Sequence, residues 1–324
     1  MAKMTTLNPD LFDPKNISVE TAAFNSRLEK LIAAMPPTYT LEPEKVRADR
    51  EAGKGLWPVT RLDTLQDRII PAKSGDVPVR IFVPPKVDGV YLHIHGGGFM
   101  LGRAHHSDVG NVRLAESCNL AVVSVDYRLA PEDPHPAAAD DCEAVAVWLL
   151  NNAKKEFGSD LLVIGGESAG ANLAVVTILR MRDKFDFKNF AAANLVFGVY
   201  DINSTPSAKN WGETPNLVLT TKLMEWFHQK YAPKEKRFDP DVSPLYADLV
   251  NMPPALFTIG TQDPLLDDTL FMNARWISAG NMAELAVYPG GIHAFTAFPI
   301  ALAQEANTRI FDFINGTLAL KDFK

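Results

Sequence analysis

Residues 161–175 read LLVIGGESAGANLAV. The apolar residues 161–164 run into a pair of glycines, and beyond them Leu173, Val176, Thr177 and Arg180 open a helical period. A short apolar run bounded by glycine signals a strand buried on both faces, and apolar spacing of three and four signals a helix. Ser168 therefore stands on a strand-to-helix turn. The pentad GESAG at 166–170 is weak by itself, since a GxSxG match arises by chance in roughly one chain of this length in ten. Its position gives it weight. A tight turn there pushes a serine hydroxyl out at the end of the sheet, and flanking glycines let other backbone come close. The competing reading of the loop is a phosphate cradle, with Gly165 and Gly170 at P-loop spacing. Ala171 and Asn172 stand where that motif needs lysine and a hydroxyl residue, and no GxGxxG passes through these residues.

Around this turn, short apolar segments alternate with longer ones of helical spacing from about residue 79 onward. Strands are expected at 79–83, 90–95, 121–125, 161–165, 195–199, 255–260 and 285–288, and helices at 136–152 and 265–279 among others. The alternation predicts an α/β fold with a mostly parallel central sheet flanked by helices, and sites in such sheets form at the C-terminal ends of strands. Two regions stand outside the alternation. Residues 1 to about 50 include an amphipathic stretch at 19–35, and residues 201 to about 238 are polar, tryptophan-bearing and helix-prone. Both carry more large apolar residues than the sheet requires, and we expect them to cap a site rather than merely pack on the core.

The 324 residues, 47% hydrophobic and 22% charged, describe a globular protein with a substantial core rather than a disordered or fibrous chain. A net charge of −7 with scattered lysines and arginines offers no basic face for nucleic acid or anionic lipid. The two cysteines, Cys118 and Cys142, exclude a disulfide framework and CxxC metal spacing. No apolar run approaches the length of a membrane span, and the first residues lack a signal-peptide core, so a cytoplasmic location without stable membrane association is expected.

The second informative stretch is YLHIHGGGFMLG at 91–102. HGGG arises by chance in only about one chain in several hundred, and three glycines after a strand free the backbone to aim successive N–H groups at one ligand, as an oxyanion hole requires. His95 is expected to orient this loop through a hydrogen bond, and His93 to be a packed core residue. A serine nucleophile needs a base, and the base an orienting acid. In the chain order serine, acid, histidine, only His228 and His293 follow Ser168. His228 lies in the helix-like TKLMEWFHQKY, whereas His293 lies in the glycine loop of VYPGGIHAF beyond a predicted strand, and is the better base. Asp263 directly follows the strand ALFTIG and is the favoured acid, with Asp201 as runner-up. Asp267 and Asp268 come later and are expected to serve the first turn of the next helix.

HGGG, DYRLAPE at 126–132, GESAG, SPLYADL at 243–249, DPLLDD at 263–268 and His293 resemble, in order and spacing, the hormone-sensitive-lipase-like family of bacterial esterases over about residues 75–300. The resemblance implies an α/β-hydrolase fold, carboxylester hydrolysis without a cofactor or metal, and a helical cap from the N-terminal segment and an insertion after the nucleophile. It implies Ser168, Asp263 and His293 as the triad, and Gly97, Gly98 and Ala169 as backbone N–H donors of the oxyanion hole. Glu167 and Ala171 depart from the family's more frequent GDSAGGN, and His135 stands where an aromatic is usual. Arg128 and Glu132 are implied to be structural.

The reading is a single α/β-hydrolase domain over 1–324, with a cap from about 1–50 and 201–238 and a catalytic core from about 51–200 and 239–324. Its expected activity is serine carboxylesterase, acting on short- to medium-chain acyl esters through an acyl-enzyme. The expected partner is a small-molecule ester, not nucleic acid, with a homodimer left open. An amidase or deacetylase would use the same triad. A non-catalytic receptor on this fold is disfavoured by the intact His293.

Overall fold

The computed structural model describes residues 7–56, 59–73 and 75–321. The first six residues of the expected cap, and positions 57, 58, 74 and 322–324 of the expected core, lie outside them. The sheet has eight strands: β1(Gln66–Ile70), β2(Val77–Phe82), β3(Gly89–Ile94), β4(Leu120–Val125), β5(Leu162–Glu167), β6(Ala192–Val196), β7(Ala255–Gln262) and β8(Ala283–Ile292). Their order is β1-β2-β4-β3-β5-β6-β7-β8. β1, β2 and β4 pair antiparallel, and every pairing from β4 onward to β8 is parallel. The helices are α1(Val19–Ala33), α2(Pro43–Glu51), α3(Asp108–Cys118), α4(Ala137–Phe157), α5(Ala169–Phe185), α6(Pro206–Asn210), α7(Thr221–Tyr231), α8(Leu266–Ser278) and α9(Ala301–Lys321).

Period-two alternation decides which helices each strand residue meets. Val90, Leu92 and Ile94 of β3, with Ala121, Val123 and Val125 of β4, are buried in one cluster with apolar residues of α4, α5 and α8. Tyr91, Leu120 and Val122 join a second cluster with α3 and α9. Strands covered on both faces read as continuous apolar runs, which is why β3, β4 and β5 are legible in the sequence. The first of the two segments outside the alternation attaches to one cluster and the second to both, with Leu217 in the α3/α9 cluster. Leu28 of α1 is buried in the α3/α9 cluster, whereas Met224, Phe227 and Tyr231 of α7 join the other, with Tyr231 stacked on Phe99 at 3.7 Å.

The sheet departs from expectation in two places. It begins at Gln66, not near residue 79. The first four residues of β1 are exposed and three of them are polar, because this edge strand meets solvent, and its Asp67 accepts from Arg61 and Arg80. The strand expected at 195–199 lies earlier, at Ala192–Val196. Ala192 and Ala193 are fully buried and pair with Val163 and Ile164, while Phe197 takes a φ of 37° and ends the strand. Small side chains under packed helices carry no bulky apolar signal.

A buried ion pair ties the antiparallel edge to α3. Arg80 donates through Nε and Nη2 to the two carboxylate oxygens of Asp108 at 2.9 and 2.6 Å, and neither residue is more than 3% exposed. Removing one partner of such a pair strands the other charge in the core. We expect Asp108→Ala to lower unfolding stability by about 3–5 kcal/mol, read as a lower urea midpoint with an unchanged m-value.

Candidate active site

Three strand ends bring the predicted residues together. Ser168 lies between β5 and α5 with φ 56° and ψ −119°, a conformation that non-glycine residues rarely adopt. Its N–H donates to the Val196 carbonyl at 2.9 Å, and its own carbonyl accepts from Ala171 and Asn172. The flanking glycines are required by space. A side chain on Gly166 or Gly170 would overlap the carbonyl oxygen of Ile94 at the end of β3, and one on Gly170 would also lie 2.7 Å from the His95 carbonyl.

His293 follows β8, and its Nε2 lies 2.9 Å from Ser168 Oγ. Its Nδ1 lies 2.8 Å from Asp263 Oδ2, just beyond β7. Asp263 is 1% exposed and its other oxygen accepts from the Leu265 N–H at 2.9 Å, so the carboxylate is held at both ends. Phe197 packs against the imidazole with ring centres 4.9 Å apart. These contacts fix the ring between hydroxyl and carboxylate, the arrangement in which a histidine can take a serine proton.

The glycine loop faces the serine. Gly97 and Gly98 have φ of 115° and 59°, values that favour glycine. Among the described residues no hydrogen bond uses the N–H of Gly97 or Gly98. Ala169 is the first residue of α5, where an N–H has no partner within the helix. His95 orients the loop as expected, through Nδ1 and the Gly96 carbonyl at 2.8 Å, and stacks on Tyr127, whose hydroxyl donates to the His95 carbonyl. Burial holds the His95 pKa well below the ordinary histidine value, which keeps the ring neutral. Arg128 donates to Asp141 of α4 and Glu132 accepts from Arg47, so both link the adjoining stretch to its surroundings.

Other candidates fall elsewhere. Asp201 accepts from Asn203 and from the Tyr246 hydroxyl and makes no bond to His293. Asp267 accepts from the Ser207 N–H, in the first turn of α6. Asp268 is more than a helix-terminus charge. It is wholly buried and accepts from the N–H groups of Tyr200 and Asp201 and the hydroxyl of Thr205, fastening α8 to the loop after β6. His93 is the packed core residue expected, 2% exposed, and it is also bonded, with its Nδ1 2.8 Å from the Ser124 hydroxyl and its Nε2 3.2 Å from the Glu167 carboxylate.

Ser168, His293, Gly97 and Gly98 open on a cavity of about 900 Å³. The first segment outside the alternation contributes Thr38 and Arg50 to its wall, and the second contributes Leu219, Leu223, Phe227 and His228. Phe227 presses on the glycine loop, since a side chain on Gly98 would come within 2.5 Å of its ring. Spacing alone gave no sign of this contact. One cluster among the described residues has metal-ligand chemistry, Glu51 with His105 and His106. Its carboxylate lies 3.0 and 2.6 Å from the two Nε2 atoms, which joins α2 to the turn before α3. His106 Nδ1 is buried without a partner, so the outer hydrogen bond that usually fixes a ligating histidine is missing. Among the described residues no helix is long and apolar enough to cross a membrane.

An eight-stranded, mostly parallel sheet that gathers serine, histidine and aspartate at its strand ends defines an α/β hydrolase. A family profile described as alpha/beta hydrolase fold matches residues 91–297. The ethyl acetate hydrolase of Pseudomonas putida is 30% identical over 312 residues, 90% of this chain and 92% of that one. The arylesterase of Saccharolobus solfataricus is 33% identical over 240 residues, 72% and 78% of the two chains. The crystal structure of a hyperthermophilic esterase from Pyrobaculum calidifontis superposes with a TM-score of 0.82 at 30% identity, over 91% of this chain and 97% of that one. This chain belongs to the hormone-sensitive-lipase-like branch of the alpha/beta hydrolase fold family.

The glycine contacts differ in what must yield, backbone at Gly170 and a side chain at Gly98. Gly170→Ala is expected to cost about 3 kcal/mol or more, and Gly98→Ala, which meets a side chain but also holds a φ of 59°, about 1–3 kcal/mol. Chemical denaturation of the two variants checks the order.

Proposed function

We propose that this chain is a serine carboxylesterase acting on short- to medium-chain acyl esters through an acyl-enzyme, with Ser168 as nucleophile, His293 as general base and acid, and Asp263 as the orienting acid. The observation that carries this is the unbroken hydrogen-bonded line Asp263–His293–Ser168, at 2.8 and 2.9 Å. The esterase names of the relatives support the ester over the amide.

Ser168 Oγ attacks the ester carbonyl while its proton passes to His293 Nε2. The Nδ1–H donates to Asp263, which holds the tautomer and stabilises the imidazolium that forms. The developing oxyanion accepts from the N–H groups of Gly97, Gly98 and Ala169, which are aimed before the reaction begins. The tetrahedral intermediate collapses, the C–O bond to the leaving alkoxide breaks, and His293 returns the proton to the departing alcohol. Water then attacks the acyl-enzyme with His293 again as base, and Ser168 leaves with that proton. No step calls on a metal or cofactor.

The domain reading is part of the proposal: one hydrolase domain whose core, about 51–200 and 239–324, carries the triad, with a cap from about 1–50 and 201–238. The apolar wall of Leu219, Leu223 and Phe227 supports it. Each added methylene gains about 0.8 kcal/mol until the wall is met, after which overpacking costs more than burial gains. We expect kcat/KM for p-nitrophenyl esters to rise from acetyl to butyryl or hexanoyl and to fall steeply beyond about ten carbons. Efficient turnover of long-chain triglyceride emulsions would contradict the cap.

Ser168→Ala and Asp263→Asn are each expected to lower kcat by about 10⁴-fold or more with the melting temperature retained. Covalent labelling by a fluorophosphonate at any residue other than Ser168 would overturn the assignment.

A further inference from the structure

The chain has seven histidines. Six of them have a hydrogen-bond partner within the protein: His93, His95, His105, His106, His135 and His293. His228 is the exception. It is 4% exposed on α7 and lines the cavity shared by Ser168 and His293, beside the apolar Leu223, Met224 and Phe227. Among the described residues no group bonds to its ring, which is influenced only by burial and by the charge of Arg237. Its nitrogens are not among the sealed polar atoms that lack partners, which leaves them at the cavity surface.

Burial lowers the His228 pKa to about 3, so the ring is neutral at ordinary pH and offers one N–H donor and one bare acceptor nitrogen. A polar ring in an apolar wall costs stability unless something bonds to it, and a leucine there would line a purely alkyl pocket without that cost. No carboxylate orients the ring, so it lacks the partner of a general base. A carboxylate ligand would gain a single neutral donor while losing its hydration, whereas an uncharged oxygen loses far less.

We infer that His228 is a specificity-determining residue that binds a second, uncharged oxygen of the substrate, so that the preferred substrates are esters carrying a hydroxyl, ether or further carbonyl oxygen beyond the scissile group. This rests on the esterase reading of Ser168. An ether or carbonyl oxygen accepts from the imidazole N–H, and a hydroxyl can also donate to the bare nitrogen. Without the imidazole the same oxygen would enter an apolar wall and lose its water with nothing in return.

The test compares pairs of esters matched in length, one with a methylene and the other with an ether oxygen at the same chain position. The position is scanned along the acyl half and, separately, along the alcohol half. For wild type, His228→Leu and His228→Gln, the readout is the oxygen-to-methylene ratio of kcat/KM. Comparing that ratio between enzymes cancels both the intrinsic reactivity of each ester and any general loss of activity. In one half of the ester the ratio is expected to fall about tenfold in His228→Leu, the cost of leaving a buried oxygen unbonded. It should fall less in His228→Gln, which keeps a donor and an acceptor. A merely structural role would lower both members of each pair alike.

A ratio in His228→Leu that stays within about twofold of wild type at every position in both halves overturns the inference. The esterase reading survives that outcome if wild type turns over the plain esters, and falls with the inference if wild type hydrolyses no ester. Should His228→Leu not fold, His228→Gln and the wild-type scan decide. A wild type that loses about tenfold or more at every oxygen position behaves as an apolar wall and overturns the inference.

Discussion

The carbonyl oxygen of Ile94 fills the space that a side chain on Gly166 or Gly170 would need. β3 and β5 are paired in register up to Ile94 opposite Gly166, so their C-terminal ends leave the sheet side by side. One strand continues into the glycine loop at 96–98 and the other into the turn that carries Ser168. Their relative position is therefore set by main-chain contact rather than by mobile side chains. The proposed oxyanion donors and nucleophile gain from such rigid placement, since their geometry must hold within tenths of an ångström.

The same device recurs on the other side of the elbow. A side chain on Gly260 would overlap the carbonyl oxygen of Gly291, and the register of β7 against β8 shifts between Gly260 and Gln262. That irregularity at the rim carries the two chains out of the sheet together, which brings Asp263 and His293 into contact. The histidine of the glycine loop is held differently, by stacking on Tyr127 and by bonds to main-chain oxygen. Charged groups do their work further out. Arg80 joins β2 to α3, and Arg180 reaches from α5 to Asp140 and Glu143 of α4 and to Asp241. These pairs lock elements around the site, and among the described residues none of them reaches Ser168, Asp263 or His293.

Much of this was legible because the strands under the site are covered by helices on both faces. β3, β4 and β5 read as unbroken apolar runs followed by turn residues, and the order serine, aspartate, histidine could be laid onto the strand ends that follow. The elements that were missed lack that signal. β1 is a polar edge strand held by Asp67 through arginines. β6 begins with alanines, whose small side chains suit a crowded sheet but carry little weight in an apolar count. Asp268 was read too narrowly for a related reason. Its role depends on partners 63 to 68 residues away in the chain, Thr205, Tyr200 and Asp201, and local spacing is silent about such contacts.

By itself the sequence determined the alternation of strands and helices, the two glycine-flanked turns and the identity of the reactive residue types, because these follow from side-chain volume, backbone freedom and period, all local properties of the chain. Only the tertiary structure decided which aspartate meets His293, that Phe227 rests on Gly98, and that His228, a weaker candidate for the base, is an unpartnered neutral ring in the wall of the cavity. Those outcomes turn on distances between segments far apart in the chain and on what burial does to a titratable group, and both arise only when the sheet, the flanking helices and the two covering segments have packed together.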